Sequence, residues 1–356
     1  MLGIDVKALR AVWTVALFAA VVATAYAIRE TLIVFVVAMF FAYMLSPIVD
    51  LLNQQLPKRV ARPLSLAIVY LSLVGILIAA GFSIGGRLVE ETNSLAKRLP
   101  DLSHNISSIF KLPLPAWLEP MRDRIVNAIQ EPFRGGGQDW MSYVTSAGSK
   151  VISGLSLLFY VILVPILSFF FLKDGTDLRE SVLTSLTNER QRALLDSILT
   201  DIHVLMGQYI RALVILSIAT FTTYAMFLSI TGASYIILLS GIAAALEFIP
   251  VVGPLTAGAV VILVTAFTGY PHLLWFVIFW PCYRLFQDYV LSPYLMSSGV
   301  EVHPLLVLFG VLAGEQMAGV PGMFFSVPVI ATLRVIYVQA RKARRHRELS
   351  PMMLKT

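Results

Sequence analysis

Apolar runs of about 20 residues recur along this chain, and that is the length a helix needs to cross the hydrocarbon core of a bilayer. Ala11–Ile28, Thr31–Leu52, Ser65–Phe82, Val151–Leu172, Tyr209–Ile230 and Leu273–Leu291 read as spans. Two further blocks are interrupted. Ser234–Leu246 and Leu255–Thr268 flank the string EFIPVVGP, and Leu305–Val338 is broken at Gly319-Val320-Pro321-Gly322. Composition agrees: 58% of the 356 residues are hydrophobic and 13% are charged, where a soluble domain carries about 25% charged residues. Mean hydropathy is +0.80. The expected fold is an all-α polytopic membrane protein with about eight transmembrane segments, including two broken or re-entrant helical hairpins.

The blocks divide the chain. Residues 1–85 hold transmembrane helices 1–3. Residues 86–150 carry mixed charge, several prolines and the GGG at 135–137, and read as an extramembrane helical insertion. Its apolar positions Leu88, Leu95, Leu99, Leu102, Ile106 and Ile109 follow helical spacing, which points to packing on its own or a neighbouring subunit, or to a membrane surface. Residues 151–338 form a core with breaks at 250–254 and 319–322, and 339–356 is a basic tail. Residues 173–206 read as a charged amphipathic connector, with Gly175 ending the preceding helix. Lys7 and Arg10, Lys58, Arg59 and Arg62, and the tail from Arg341 to Arg347 mark cytoplasmic faces. Both termini are then expected in the cytoplasm, with the insertion outside. That parity requires each broken block to enter and return, from opposite sides of the membrane.

No GxSxG, HExxH, P-loop or GxGxxG is present. Neither an enzyme nor direct ATP drive is expected, and no cofactor or metal site is read. Cys282 excludes an internal disulfide and, within an apolar run, reads as a small core residue. The pI of about 9.4 needs no nucleic acid, because cytoplasmic loops collect Lys and Arg.

The candidate site residues follow from cost. A carboxylate at bilayer depth is expensive and tends to be functional. Glu247 and Glu315 each lie just ahead of a Pro/Gly break. Each suits exchange of a proton or binding of a cation, or else caps a hairpin tip or pairs with an arginine. Pro250, Gly253 and Pro254 form one break; Gly319, Pro321 and Gly322 form the other. Proline frees a carbonyl and glycine permits close backbone approach. Such groups coordinate a cation or accept from a hydroxylated solute, or simply make a tight turn. Arg284 and Asp288 are four apart on one helix face and can pair. Arg211 either snorkels to the surface or contacts an anionic or polyhydroxylated substrate. His303 reads as packing or helix capping, with a proton relay as the alternative.

The strings LSFFFLKDG at 167–175, GQYIRALVILSIATF at 207–221, LLSGIAAALEFIPVVGPLTAG at 238–258 and FQDYVLSPYLMSSGVEVHPLLVLFGVLAGEQMAGVPGMFFSVPVIA at 286–331 together resemble the autoinducer-2 exporter family, also called PerM-like permeases. The family pattern often has an aromatic between Pro250 and Gly253, where this chain has Val251-Val252. The resemblance implies a bacterial inner-membrane protein, a homo-oligomer, and export of small solutes. Some members are associated with autoinducer-2, others with sodium–proton antiport. The expected function is therefore a secondary transporter or facilitator for a small polar solute, coupled to a proton or monovalent cation through Glu247 and Glu315. A sodium- or lithium-proton antiporter and a membrane scaffold without transport are the alternatives.

Overall fold

The computed structural model describes residues 6–57, 61–104, 154–268, 270–295 and 303–353. Among these, every regular element is helical. A bilayer demands this outcome, because a helix satisfies its own backbone hydrogen bonds where no water is available. Among the described residues, four stretches are long and apolar enough to cross a membrane: Arg29–Gln55, Arg62–Leu95, Glu189–Ile230 and Pro304–Ala343. Val12–Ala27, Ile236–Leu246 and Val252–Ala266 are shorter apolar helices. Residues 105–153, which include most of the expected insertion, Ile106, Ile109 and the start of the expected fourth span, lie outside the described residues.

Helix α1 (Val6–Ala27) lies against α2 (Arg29–Gln55), and α2 packs on α3 (Ala61–Ala80) and α5 (Gly154–Thr184). Leu45 and Val49 of α2 meet Leu66 and Val69 of α3 and Phe169 of α5 in one buried cluster. After a five-residue π-helical turn, Gly81–Gly85, the chain continues as α4 (Gly86–His104). Gly175 does not end α5, which runs on to Thr184. A glycine inside a helix costs about 1 kcal/mol, and packing offsets it. Arg179 of α5 donates to Asp196 Oδ1 and Thr200 Oγ1, both at 2.6 Å, on α6 (Glu189–Ile230). The charged connector is thus a helical hairpin, and the Asn188 side chain opens its second arm by accepting from Arg190 N–H at 3.0 Å.

The core follows α6. A short loop leads to α7 (Ile236–Leu246), and a turn then leads to α8 (Val252–Phe267). Helices α7 and α8 have 11 and 16 residues, about 16 and 24 Å of rise. Neither spans a core about 30 Å thick alone. They pack on each other and on α6 in a cluster built on Tyr224, Leu228, Leu239, Ala243, Ala257 and Val261. Ser217 Oγ of α6 donates to Ala244 O at 2.8 Å, satisfying a carbonyl in the last turn of α7. Helix α9 (Leu273–Phe286) passes into a π-helical turn, Gln287–Leu291, and the short α10 (Ser292–Leu295). Cys282 on α9 is exposed rather than a core residue. In a membrane span an apolar run places side chains on the lipid face as readily as inside.

Helical hydrogen bonding runs from Pro304 to Met353 (α11), yet the chain reverses within it. Ala318 (φ −147°, ψ 15°) and Gly319 (φ 62°, ψ −139°) are not helical. A Cβ on Gly322 would lie 1.9 Å from Gly314 O, and one on Gly310 would meet Ile330 Cδ1 at 2.3 Å. Residues 314 and 322 would be about 12 Å apart along a straight helix. The block is therefore an antiparallel hairpin with its tip at Ala318–Gly319. His303 opens it, its Nδ1 accepting from Leu305 N–H at 3.2 Å.

The hairpin generates a contrast. Gly322→Ala sets a methyl against backbone that cannot move, whereas Gly310→Ala meets the far end of a flexible side chain. Overpacking costs about 1–3 kcal/mol, so thermal unfolding of the detergent-solubilised protein should show a clear drop for Gly322→Ala and a smaller one for Gly310→Ala. Equal drops would remove the tight hairpin.

Candidate functional site

Helix α7 carries a carboxylate at each end. At its N-terminus, Glu91 Oε2 of α4 accepts from Leu238 N–H at 2.8 Å. This is the favourable end for a negative charge. Glu247 is the C-cap, where the helix dipole disfavours a negative charge. Its side chain is 7% exposed, so it needs partners.

Three side chains supply them. Gln287 Nε2 donates to Glu247 Oε1 at 2.7 Å. Arg284 Nη1 lies 3.4 Å from the same oxygen. Thr220 Oγ1 donates to Oε2 at 3.1 Å, and its own oxygen is 3.1 Å from the Tyr283 hydroxyl, which then acts as donor. Gln287 is itself 2% exposed. The partners come from α6, α9 and the π-helical turn. A π turn inside a helix is frequently found at functional sites, because the extra residue re-aims the side chains around it. Arg284 is shared, with Nη2 2.7 Å from Asp288 Oδ1 on the same helix face. A guanidinium with a fixed fork can hold two carboxylates at once.

Behind this network stands an aromatic wall. Tyr224 meets Phe276, Phe279 and Tyr283 with ring centroids 5.7–5.8 Å apart, and Phe227 stacks on Phe279 at 4.0 Å. Before it lies a cavity of about 280 Å³, near the lower end of the range for small-molecule sites, about 300–1,000 Å³. Glu247, Arg284, Pro250, Val251 and Pro254 line one side. Tyr209, Gln208 and apolar residues of α6 line another, with Val327 and Ala331 of α11 closing it.

The first break builds the cavity's edge. Val251 has φ 63° and ψ −57°, and Val252 N–H donates to Pro250 O at 2.7 Å. This is the strained form of γ-turn, rare for any residue and most so for a β-branched one. Gly253 is required by proximity: a Cβ there would lie 1.8 Å from Leu246 O.

The expected site residues divide. Glu247, Arg284, Pro250 and Pro254 converge on the cavity, with Asp288 one partner away through Arg284. Glu315 does not join them. It is exposed and makes no hydrogen bond or ion pair with any described residue. Arg211 is exposed on α6, away from the cavity lining. Gly319, Pro321 and Gly322 shape the second hairpin but do not line the cavity either. Phe248, beside the first tip, packs on Phe324 of the second hairpin, ring centroids 5.8 Å apart, beyond that hairpin's own tip. Thr220, Gln287, Tyr283 and Tyr209 escaped the sequence reading. A polar residue within an apolar span was the only available signal, and it is shared by many residues that serve their own helix.

Comparison with known proteins adds the family. The model for the AI-2E family transporter matches residues 15–342. "Putative transport protein YrrI" of Bacillus subtilis is 24% identical over 329 residues, 89% of this chain and 88% of that protein. "Putative permease PerM" of Escherichia coli K12 is 24% identical over 316 residues, 84% of each. "Putative transport protein MJ1177" of Methanocaldococcus jannaschii is 24% identical over 302 residues, 84% of this chain and 86% of that protein.

The network predicts an asymmetry. Arg284→Gln leaves a buried carboxylate without its cation, whereas Glu247→Gln leaves Arg284 still paired with Asp288. Arg284→Gln should therefore lower the thermal midpoint more. Adding Glu247→Gln to Arg284→Gln should recover part of the loss, with a coupling of about 0.5–3 kcal/mol. Strictly additive losses would show that the two side chains do not act on one another.

Proposed function

The chain belongs to the AI-2E transporter family, and from that premise we propose that it is a secondary transporter or facilitator exporting a small solute through the cavity beside Glu247. Transport is the activity of the family. The observation that carries the finer reading is Arg284 held between Glu247 and Asp288. Protonation of Glu247 weakens its hold on Arg284, and Asp288 keeps the guanidinium. Loss of the proton restores the shared arrangement. Two states of one cation, set by one proton at the cavity wall, couple proton movement to the shape of the site. The strained turn at Val251 lies on that wall.

We place the protein in the cytoplasmic membrane with both termini on the cytoplasmic side, on the distribution of Lys and Arg. One contact supports this topology. Glu91, from the segment assigned outside, reaches the start of α7, and α7 follows the outward end of α6. Assembly as a homo-oligomer and an autoinducer-2-like solute are carried by the family resemblance. Sodium- or lithium-proton antiport is the second reading, supported by the family resemblance and by two carboxylates, Glu247 and Asp288, that share Arg284 beside the cavity.

The test is flux. Purified protein in liposomes with an internal pH dye is challenged with sodium, lithium, potassium and autoinducer-2 in turn. Coupled transport should fall at least tenfold in Glu247→Gln while the protein stays folded. A cation-driven pH change without any solute establishes antiport. Unchanged coupled flux in Glu247→Gln would remove the carboxylate mechanism.

A further inference from the structure

Two polar side chains at the cavity take no part in the Glu247 network. Gln208 of α6 and Ser292, the first residue of α10, both line the cavity, and each is half-buried. Neither side chain makes a hydrogen bond or ion pair with any described residue. Both stand on the same side of the network. Every lining residue of α6, from Leu205 to Leu216, precedes Thr220, and Gln208 is about 18 Å from Thr220 along the helix axis. Ser292 follows the π-helical turn Gln287–Leu291, its N–H donating to Gln287 O, and α10 packs on α6. With α6 running outward and α9 inward, both residues fall on the cytoplasmic side of Glu247 in the proposed topology.

Their chemistry points to the group that completes them. A primary amide carries two donors and an acceptor, and a serine hydroxyl both donates and accepts. A solute hydroxyl, which also does both, matches each. A half-buried polar side chain keeps water beside it, and a solute hydroxyl that takes the water's place preserves its hydrogen bonds. Leu205, Leu213, Leu216 and Val327 offer no such exchange, and a hydroxyl turned toward them loses water without replacement. The hydroxylated face of a solute is therefore directed to Gln208 and Ser292.

We propose that Gln208 and Ser292 form a solute-recognition subsite on the cytoplasmic side of the Glu247 network, which holds a neutral solute with two or more hydroxyls by hydrogen bonds. This rests on the transport reading and deepens it: different residues of one cavity recognise the solute and exchange the proton. The π-helical turn joins the two tasks, with Gln287 of the network at its start and Ser292 directly after its end. Gln208 and Ser292 are the specificity-determining residues.

The test uses the full chain in lipid nanodiscs, with Cys282→Ser and, on the cavity lining, Val327→Cys. The rate at which methyl methanethiosulfonate modifies the new thiol is followed with erythritol, butanol or sodium chloride present. Erythritol should slow modification saturably and at lower concentration than butanol. Gln208→Met and Ser292→Ala should each raise the erythritol concentration for half-protection about three- to tenfold, the size of one neutral hydrogen bond. Ser292→Thr keeps the hydroxyl and should protect like the parent. Thermal midpoints without solute should be unchanged in Gln208→Met and Ser292→Ala, because neither side chain has a described partner to lose. No protection by erythritol, protection that neither variant weakens, stronger protection by butanol, or protection by sodium without erythritol would each overturn the proposal. Protection does not depend on flux. Protection that needs Gln208 and Ser292, in a protein that moves no solute, would instead count against the transport reading alone.

Discussion

A carboxylate buried at the unfavourable end of a helix dipole organises the core of this protein. Glu247 cannot sit at the C-terminus of α7 inside an apolar interior unless donors reach it from outside α7. Thr220 comes from α6, Arg284 from α9, and Gln287 from the π-helical turn that follows. Satisfying that single group fixes the register of three elements against one another. The aromatic wall of Tyr224, Phe279 and Tyr283 seals the back of the network. Glu247 and Arg284 also line the cavity.

The hairpins make the site possible by different means. The first places its turn against the cavity and stores strain at Val251, where a β-branched residue holds a positive φ. The second is a packing device. Gly314 and Gly322 bring its arms into backbone contact, and Gly319 supplies the positive φ at the tip. Its far arm then provides Val327 and Ala331 to the cavity. Both ends of α7 are tied to other helices, through Glu91 at one end and Ser217 and the Glu247 network at the other. A change in the charge of Glu247 therefore acts on an element with few other ways to relax.

Part of this was legible in the residues. Hydropathy located the long apolar helices among the described residues, and the two Pro/Gly breaks located the reversals, because a bilayer tolerates little besides helices and punctuates them visibly. Glu247 was legible for the same reason: charge in an apolar run is rare. Glu315 shows the limit of that signal. Its local context matches that of Glu247, yet it faces outward, and facing depends on which side of a hairpin arm meets a neighbour. Gly175 failed similarly, since tertiary packing of α5 on α6 overrides a local helix breaker. Thr220, Gln287 and Tyr209 were hidden because their importance arises from contacts tens of residues away in sequence. The spacing of Arg284 and Asp288 revealed that they can pair, but nothing local revealed that Arg284 is shared.

On the transport reading, the Glu247 cavity is reached by water from one side of the membrane while the rest of the core faces lipid or is sealed. Cysteine accessibility tests it most directly. With Cys282, the chain's single cysteine, changed to Ser, Ser292→Cys at the cavity lining and Ile218→Cys, 62% exposed on α6, are treated with a charged thiol reagent in oriented vesicles. Rapid modification of Ser292→Cys from one face only is expected, and none of Ile218→Cys, whose exposure is to lipid. Modification of Ile218→Cys with Ser292→Cys silent from both faces would contradict it.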